Sequence, residues 1–247
     1  MSRFEGKKAV VSGGTHGMGL AVVKALVEGG AEVLLTGRDE TKLAAAKELG
    51  PRVHAVRCDV TKLDELRSLA DTVKTTLGEV DFVHVNTGYA KLLPMELTTE
   101  ESFDWTFGVN TKGAYFTTQV LAPLVREGGS IVFTTSVANI TGIPGMSAYA
   151  GSKAAVRSFV KVFAAELLPR GIRVNAVSPG FIDTPSMGVD ASAEERVQFQ
   201  QVGDDTTPMK RHGSPEEVAA AVLFMGFDAT FTTAEELIID GGLAELG

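Results

Sequence analysis

Three side chains suited to proton transfer and hydrogen bonding, Ser136, Tyr149 and Lys153, stand at a spacing that would let them meet. The run 131–135 is β-branched and aromatic, as in a buried strand, so Ser136 lies where that strand ends. From about Ser147 to Leu168, Ala and Val recur at three- and four-residue steps, which predicts a helix. Tyr149 and Lys153 are four residues apart and share one face of it. We therefore expect a phenol, an ammonium and a hydroxyl to converge at one end of a sheet.

Such a convergence would adjust the proton affinity of the phenol. A free tyrosine has a pKa of about 10, so it exchanges protons poorly near neutrality. A fixed positive charge such as that of Lys153 favours the phenolate and lowers this pKa. The hydroxyl of Ser136 could hold a substrate oxygen while negative charge develops on it. Because a Tyr-x-x-x-Lys spacing also arises by chance on helices, other segments must support the interpretation.

A glycine-rich segment near the start of the sequence gives that support. Ala9–Val11 is predicted as a strand, Ser12–Gly19 as a loop, Leu20–Glu28 as an amphipathic helix and Glu32–Thr36 as a second strand. Free amides and the dipole at the start of such a helix favour a pyrophosphate. An ordinary tight turn is the alternative, but the strand–loop–helix context favours a nucleotide site.

The glycines follow a Gly-x-x-x-Gly-x-Gly spacing at Gly13, Gly17 and Gly19. Together with Ser136, Tyr149 and Lys153, this pattern resembles the short-chain dehydrogenase/reductase family, and in particular its 3-oxoacyl-acyl-carrier-protein reductases. Further matches are spread over nearly the whole chain, at 58–60 (CDV), 86–88 (NTG), 109–116 (VNTKGAYF, with Asn110), 173–180 (RVNAVSPG) and 237–242 (LIIDGG).

The resemblance implies a catalytic set of Asn110, Ser136, Tyr149 and Lys153. The tyrosine would act as general acid or base, the lysine would adjust its pKa and bind the nicotinamide ribose, and the serine would orient the carbonyl. Asn110 would hold a water of a proton relay. The alternative for Asn110 is a purely structural residue that kinks its helix.

The resemblance also implies a set of residues around a nicotinamide dinucleotide. These are Ser12, Gly13, Thr15, His16, Gly17, Met18, Gly19, Arg38, Asp59, Val60, Asn86, Thr87, Gly88, Tyr149, Lys153, Pro179, Gly180, Ile182 and Thr184.

The end of the second strand should discriminate NADP from NAD. A carboxylate there binds the ribose hydroxyls of NAD and repels a 2′-phosphate. By similarity to the family, Gly37 stands at that position and Arg38 follows, and a guanidinium suits a phosphate. His16 is a second candidate cation. Arg38 could instead belong to a charged surface turn, and Asp39 could serve NAD, but we favour NADP (NADPH).

Composition sets the fold class and excludes some functions. Strand-like and helical segments alternate along 247 residues, 44% of them hydrophobic. This predicts one α/β domain over 1–247, a Rossmann-type, doubly wound parallel sheet with helices on both faces. A net charge of −8 and a pI of 5.1 argue against nucleic-acid binding. The sequence has no apolar run of membrane-spanning length, no signal-peptide core and no metal-ligand spacing, so we expect a cytoplasmic protein without a metal.

The irregular segment at about 181–211 is expected to be a substrate lid. Met187, Phe199 and Met209 could form an apolar wall in it, or could only pack the lid onto the body. Leu92, Leu93 and Met95, after the NTG motif, could line the opposite side.

Three functions remain open from the sequence. The first is an NADPH-dependent reductase of ketones or 3-oxoacyl thioesters, the second an NAD(P)-dependent dehydrogenase of a sugar, polyol or other secondary alcohol, and the third a non-catalytic cofactor sensor. Arg170 matches a position that carrier-protein-dependent members use for docking, although a plain surface charge explains it equally well. The resemblance also implies a homotetramer.

Overall fold

The computed structural model describes residues 2–185, 190 and 192–246, and within them a seven-stranded sheet forms the centre of the chain. All neighbouring strands are parallel, in the order β3-β2-β1-β4-β5-β6-β7. The strands are β1 Lys8–Ser12, β2 Glu32–Gly37, β3 Val53–Arg57, β4 Val80–Val85, β5 Val125–Thr134, β6 Arg173–Pro179 and β7 Glu236–Ile239. The inner strands are apolar because they are covered on both faces: every residue of β4 is buried.

Helices follow most of the strands. They are α1 Gly17–Glu28, α2 Glu40–Lys47, α3 Leu63–Thr76, α4 Glu100–Phe107, α5 Gly113–Leu121, α6 Ser147–Leu167, α7 Ala193–Thr206, α8 Pro215–Leu223 and α9 Leu243–Leu246. Several begin at hydroxyl caps that the sequence shows: Thr99, Ser192 and Ser214 each form a capping box with the residue three positions later. Within the described residues, no helix is long and apolar enough to cross a lipid bilayer.

The helices cover the sheet on both faces, and each face has its own core. On one face the strands pack against α3, α5 and α6 through residues such as Leu69, Leu121 and Val156. On the other face they pack against α1, α2 and α8, for example through Val22 and Val218. This confirms the predicted fold class. Two boundaries differ from the expectation by three residues or more: α1 begins at Gly17 rather than Leu20, and β5 begins at Val125 rather than Ile131.

The topology determines where a ligand can bind. From β1 the chain proceeds outward to β2 and β3 in one direction, and from β4 to β7 in the other. At such a reversal the connections leave a crevice beyond the carboxyl ends of the strands. The glycine-rich segment follows β1, and Ser136 follows β5, so both lie at this edge. Helix α7 belongs to the expected lid at 181–211, in which Met187 lies outside the described residues.

Candidate active site

A cleft of about 260 Å³ opens at this edge, and most of the predicted site residues line it. The predicted residues on its walls are Gly13, Thr15, His16, Gly17, Met18, Arg38, Asp59, Val60, Asn86, Thr87, Gly88, Ser136, Tyr149, Lys153, Pro179, Gly180, Ile182 and Thr184. Ser12, Gly19 and Asn110 do not line the cleft. The geometry therefore does not support direct contacts of Ser12 or Gly19 with a cofactor.

Ser12 instead joins two loops behind the wall. Its Oγ accepts hydrogen bonds from the backbone amides of Asn86, at 2.9 Å, and Thr87, at 3.2 Å. This is possible because β1 and β4 are adjacent and Ser12 is in register with Val85. The hydroxyl thus fixes the turn after β4 to the end of β1.

The glycine-rich segment leaves room for a pyrophosphate. Gly13 has a φ of +66°, and a Cβ on Gly19 would lie only 2.2 Å from the carbonyl oxygen of Gly13. Helix α1 therefore packs directly onto the loop, as only glycine at residue 19 allows. Its N-cap, His16, makes no side-chain capping bond, so the first-turn amides remain available to an anion. These residues fit a dinucleotide.

Ser136 and Tyr149 meet at the centre of the cleft. Ser136 follows β5 and caps the short turn 137–139, where its Oγ accepts from the amide of Ala138 at 3.3 Å. Burial raises the pKa of the Tyr149 phenol, and a side-chain hydrogen bond with Ser136 lowers it in part. The phenol is therefore protonated at neutral pH.

Lys153 lies below the tyrosine and is only 4% exposed. Its Nζ donates to the carbonyl oxygen of Thr134 at 2.8 Å and lies 6.0 Å from the centre of the Tyr149 ring. Burial lowers the pKa of this amine to about 8. The expected net lowering of the Tyr149 pKa is not found in this arrangement, because burial of the phenol has the larger effect and the opposite sign.

Asn110 lies in a π-helical turn, 108–112, between α4 and α5. Its side-chain amide accepts from the backbone amide of Tyr89 and donates to the Tyr89 carbonyl oxygen, both at 2.8 Å. It also donates to Ser152 Oγ at 2.9 Å. The side chain therefore holds the segment after β4 in place, which is the structural alternative. The relay role of Asn110 remains a prediction.

A buried histidine beneath the cleft was not anticipated. His84 Nε2 lies 2.8 Å from Thr134 Oγ1, which in turn donates to Asn86 Oδ1 at 3.1 Å. Because the hydroxyl has one proton to give, His84 must donate to it through Nε2. Burial, followed by the charge of Lys153, lowers the pKa of His84 to about 3. In the sequence His84 stands between two valines, and this pattern does not indicate a polar network.

At the opposite end of the cleft, Arg38 follows the end of β2, where the adenosine ribose is expected. The Arg38 guanidinium lies 5.6 Å from the ring centre of Trp105, and among the described residues no carboxylate forms an ion pair with it. Asp39 instead caps α2, accepting from the amides of Thr41 and Lys42. Its carboxylate is therefore directed to the helix rather than to a ribose.

His16 does not contribute a charge here at neutral pH. Burial and the positive charge of Lys42 lower its pKa, with an opposing effect of Asp39. The lowered pKa therefore does not favour His16 as the second cation. Lys42 is the cation that the sequence interpretation missed, because its distance from the loop depends on how α2 packs.

Part of the cleft lining is apolar. Beside Ser136 and Tyr149 its walls consist mainly of Val137, Ala138, Ile143, Met146, Phe181, Phe199 and Leu243. Phe199 was expected there. Met209 and Met95, which are 67% and 80% exposed, do not line the cleft, and neither do Leu92 and Leu93. Leu243 was missed because nothing local in the sequence indicates that α9 reaches this site.

The segment 181–211 contacts the opposite rim of the cleft. Tyr89 Oη donates to Asp190 Oδ2 at 3.0 Å, and the Asp190 amide donates to the Ala90 carbonyl oxygen at 2.8 Å. Burial, followed by this contact with Asp190, raises the pKa of Tyr89 to about 12. These two hydrogen bonds attach Asp190, which lies in the expected lid, to the segment after β4.

Known proteins share this organisation. A profile of the family described as enoyl-(acyl carrier protein) reductase matches residues 13–244. The chain is 41% identical over 251 residues to oxidoreductase asL5 of Sarocladium schorii, covering 100% of this chain and 99% of that protein. It is 36% identical to glucose 1-dehydrogenase of Gluconobacter oxydans (99% and 94% covered). It is 34% identical to the 3-oxoacyl-(acyl-carrier-protein) reductase FabG of Thermotoga maritima (98% and 99% covered).

A solved structure agrees in fold. The NADPH-bound short-chain oxidoreductase of Pseudomonas aeruginosa superposes with a TM-score of 0.87 at 29% identity, covering 97% of each chain. The profile match covers most of the chain, and the relatives are similar over their full length. The chain belongs to the short-chain dehydrogenase/reductase family, and it is an NAD(P)-dependent oxidoreductase that acts on CH–OH groups.

Proposed function

We propose that this enzyme uses NADPH to reduce an apolar ketone or a 3-oxoacyl substrate. One observation carries the proposal. Ser136, Tyr149 and Lys153 line the same cleft as several apolar side chains, at the carboxyl ends of the strands where the strand order reverses. Asn110 completes the proposed catalytic set, as a structural support or a relay residue. Dehydrogenation of sugars or other polar alcohols is the alternative.

The side chains supply the proton chemistry of the reduction. When bound, NADPH would supply the hydride that adds to the carbonyl carbon. The Ser136 hydroxyl would hydrogen-bond the carbonyl oxygen as negative charge develops on it. Tyr149, whose raised pKa keeps it protonated, would donate its proton to that oxygen. The Lys153 ammonium would then favour the tyrosinate, which regains a proton from solvent, so that ketone, NADPH and H⁺ yield alcohol and NADP⁺.

The preference for NADPH rests on the end of β2. Arg38 is available to pair with a 2′-phosphate, Lys42 adds positive charge, and Asp39 is engaged as a helix cap. A Cβ at residue 37 would lie 2.5 Å from Thr15 Cγ2 and 2.9 Å from its Oγ1. An acidic side chain at that position is therefore excluded unless Thr15 changes.

The apolar wall favours a ketone over a sugar. Seven of the lining residues, Val137, Ala138, Ile143, Met146, Phe181, Phe199 and Leu243, offer no side-chain partner for additional hydroxyl groups. Each sugar hydroxyl left without a partner on desolvation would cost about 1–3 kcal/mol. An alkyl, cyclic or aryl group beside the carbonyl would instead bury apolar surface against Met146, Phe181 and Phe199.

Carrier-protein docking has no support at Arg170. Its guanidinium donates to the carbonyl oxygens of Ala122 and Val125, which fixes the turn before β5. That turn lies at the amino end of the strand, away from the cleft. Arg170 therefore has a structural role that neither docking nor a plain surface charge anticipated.

The decisive experiment measures NADPH and NADH oxidation with a cyclic ketone, a diketone and an acetoacetyl thioester, and the reverse reaction with glucose and cyclopentanol. We expect reduction of the ketones with NADPH, and a loss of at least about 100-fold in kcat/KM for Tyr149→Phe. Faster turnover of glucose than of any carbonyl would establish the alternative. Tight NADPH binding without turnover of any substrate would indicate a non-catalytic sensor.

Cofactor choice is tested with Arg38→Asp. The variant should lose at least about tenfold in kcat/KM for NADPH while keeping or improving that for NADH. Lys47→Asp, at the other end of α2, is the control because it changes the net charge equally. Equal losses in the two variants, or an unchanged ratio of the cofactors in Arg38→Asp, would refute the assignment.

We further propose a homotetramer. Apolar side chains on and after α6, including Val162 and Leu168, are exposed in the single chain, which supports burial against another copy. Light scattering at micromolar concentration should give four times the 26.0 kDa chain mass. A single-chain mass would contradict the proposal.

A further inference from the structure

A buried carboxylate lies next to the catalytic serine but outside the proposed chemistry. Glu236 is the first residue of β7, and its side chain is only 5% exposed. A buried carboxylate is strongly disfavoured unless hydrogen bonds and a counter-charge compensate it. The groups that compensate the Glu236 charge therefore indicate which part of the structure this side chain holds in place.

Both oxygens of Glu236 have partners close to the site. Oε1 accepts from Thr135 Oγ1 at 2.5 Å and from Asn139 Nδ2 at 2.8 Å. Oε2 lies 2.8 Å from Nε of Arg157, which is 42% exposed, in an ion pair that is not aligned as a hydrogen bond.

These partners enclose Ser136. Thr135 immediately precedes the serine, and the Asn139 amide donates to the Ser136 carbonyl oxygen at 3.0 Å. One carboxylate oxygen therefore holds both ends of the turn on which the serine lies. Thr135 is also bound to β6, because its backbone amide donates to the Val177 carbonyl oxygen at 2.9 Å.

Arg157 connects this turn with the other catalytic residues. It lies on α6 one turn after Lys153 and two turns after Tyr149, so it belongs to the same rigid helix. The ion pair of Glu236 and Arg157 thus ties the serine turn to the helix that carries the phenol and the amine.

We propose that Glu236, together with Arg157, is a positioning residue that fixes the Ser136 hydroxyl relative to Tyr149. The inference rests on the proposed function, since it assumes that Ser136 orients the substrate carbonyl. Replacing the carboxylate with a neutral amide would weaken the hydrogen bonds from Thr135 and Asn139 and remove the ion pair with Arg157, so the serine hydroxyl would lose its fixed direction.

The test is a double-mutant cycle of Glu236→Gln and Ser136→Ala, with kcat for ketone reduction and the Kd of NADPH as readouts. Glu236→Gln alone should lower kcat at least about tenfold and leave the Kd of NADPH within about twofold. In the Ser136→Ala background the same substitution should have almost no further effect on kcat, because its influence passes through the serine. Glu235→Gln, an exposed neighbour, is the control.

A second readout needs no substrate. The chain has 3 tyrosines, so the titration of Tyr149 can be isolated as the absorbance difference from Tyr149→Phe. The hydrogen bond with Ser136 lowers the pKa of this phenol, so Glu236→Gln should shift its titration to higher pH. Arg157→Gln should shift it in the same direction by less, because the hydrogen bonds from Thr135 and Asn139 remain.

Additive effects on kcat in the double variant, or an unshifted Tyr149 titration in a folded Glu236→Gln protein, would overturn the inference. A wild-type protein that turns over no carbonyl would instead refute the proposed function, and the titration would still decide whether Glu236 positions Ser136.

Discussion

The ammonium of Lys153 is bound to the carbonyl oxygen of Thr134, 2.8 Å away, while the hydroxyl of the same threonine contacts His84 and Asn86. The last residue of β5 thus connects the amine of the proton-transfer site with the turn after β4. Two buried titratable groups, Lys153 and His84, lie on either side of one threonine. Each should leave a measurable signature in stability.

Lys153→Met should inactivate the enzyme and stabilise it. Burial lowers the pKa of the amine from 10.5 to about 8, so the folded state disfavours the bound proton. Below pH 8 this corresponds to about 3 kcal/mol of lost stability, which wild type regains as the pH rises from 8 to 10.5. Loss of the bond to Thr134 offsets part of the gain, and we expect Tm at pH 7 to rise by a few degrees.

The measurement is thermal unfolding of ligand-free wild type and Lys153→Met between pH 7 and 10. The advantage of the variant should shrink as the pH rises. Lys161→Met, on the exposed side of the same helix, is the control. A variant that is less stable than wild type at pH 7, by an amount independent of pH, would contradict the prediction.

His84 should make the protein sensitive to acid. Its pKa is lowered from 6.5 to about 3, so the unfolded chain binds a proton that the folded state rejects. The stability due to the neutral imidazole is complete above pH 6.5 and is lost as the pH falls toward 3, at about 1.4 kcal/mol per pH unit. His84→Gln keeps a donor for Thr134 and does not titrate.

Denaturant unfolding of both proteins between pH 8 and 4.5 tests this expectation. Wild type should lose stability relative to His84→Gln only below pH 6.5. Parallel stability curves through that range would show that a proton reaches His84 in the folded state.

Conversion to NADH should require two substitutions. Gly37→Asp alone places a side chain against Thr15, and overpacking of this kind costs about 1–3 kcal/mol. Adding Thr15→Ala removes the two closest atoms, Cγ2 and Oγ1, so the double variant should recover stability. It should also raise the ratio of kcat/KM for NADH over NADPH at least about tenfold.

Thermal unfolding and steady-state kinetics of the single and double variants, with Thr15→Ala as the control, decide the matter. Full stability of Gly37→Asp by itself would show that Thr15 is no obstacle. A double variant that still prefers NADPH would show that Arg38 and Lys42 outweigh the new carboxylate.

The features that could be predicted from the sequence are those carried by local patterns. The alternation of apolar strands and helices gives the sheet, and the glycine spacing and the Tyr149–Lys153 pair give both ends of the cleft. These signals depend on residues a few positions apart, where the geometry of helices and strands constrains side chains directly.

The features that could not be predicted depend on packing between distant segments. Leu243 lines the cleft although most of the chain separates it in sequence from the glycine-rich segment. Lys42 approaches His16 because of how α2 packs. The buried Glu236 side chain contacts Thr135, Asn139 and Arg157, which are far from it in sequence. The sign of the pKa change at Tyr149 follows from burial, which no spacing of residues reveals.

The direct packing of α1 on the carbonyl of Gly13 has a thermodynamic consequence. The loop is already held by helix α1 and by the Ser12 hydroxyl, so it should lose little conformational entropy when a phosphate binds. Calorimetry should then find that NADPH binds without a large entropic cost for ordering this loop.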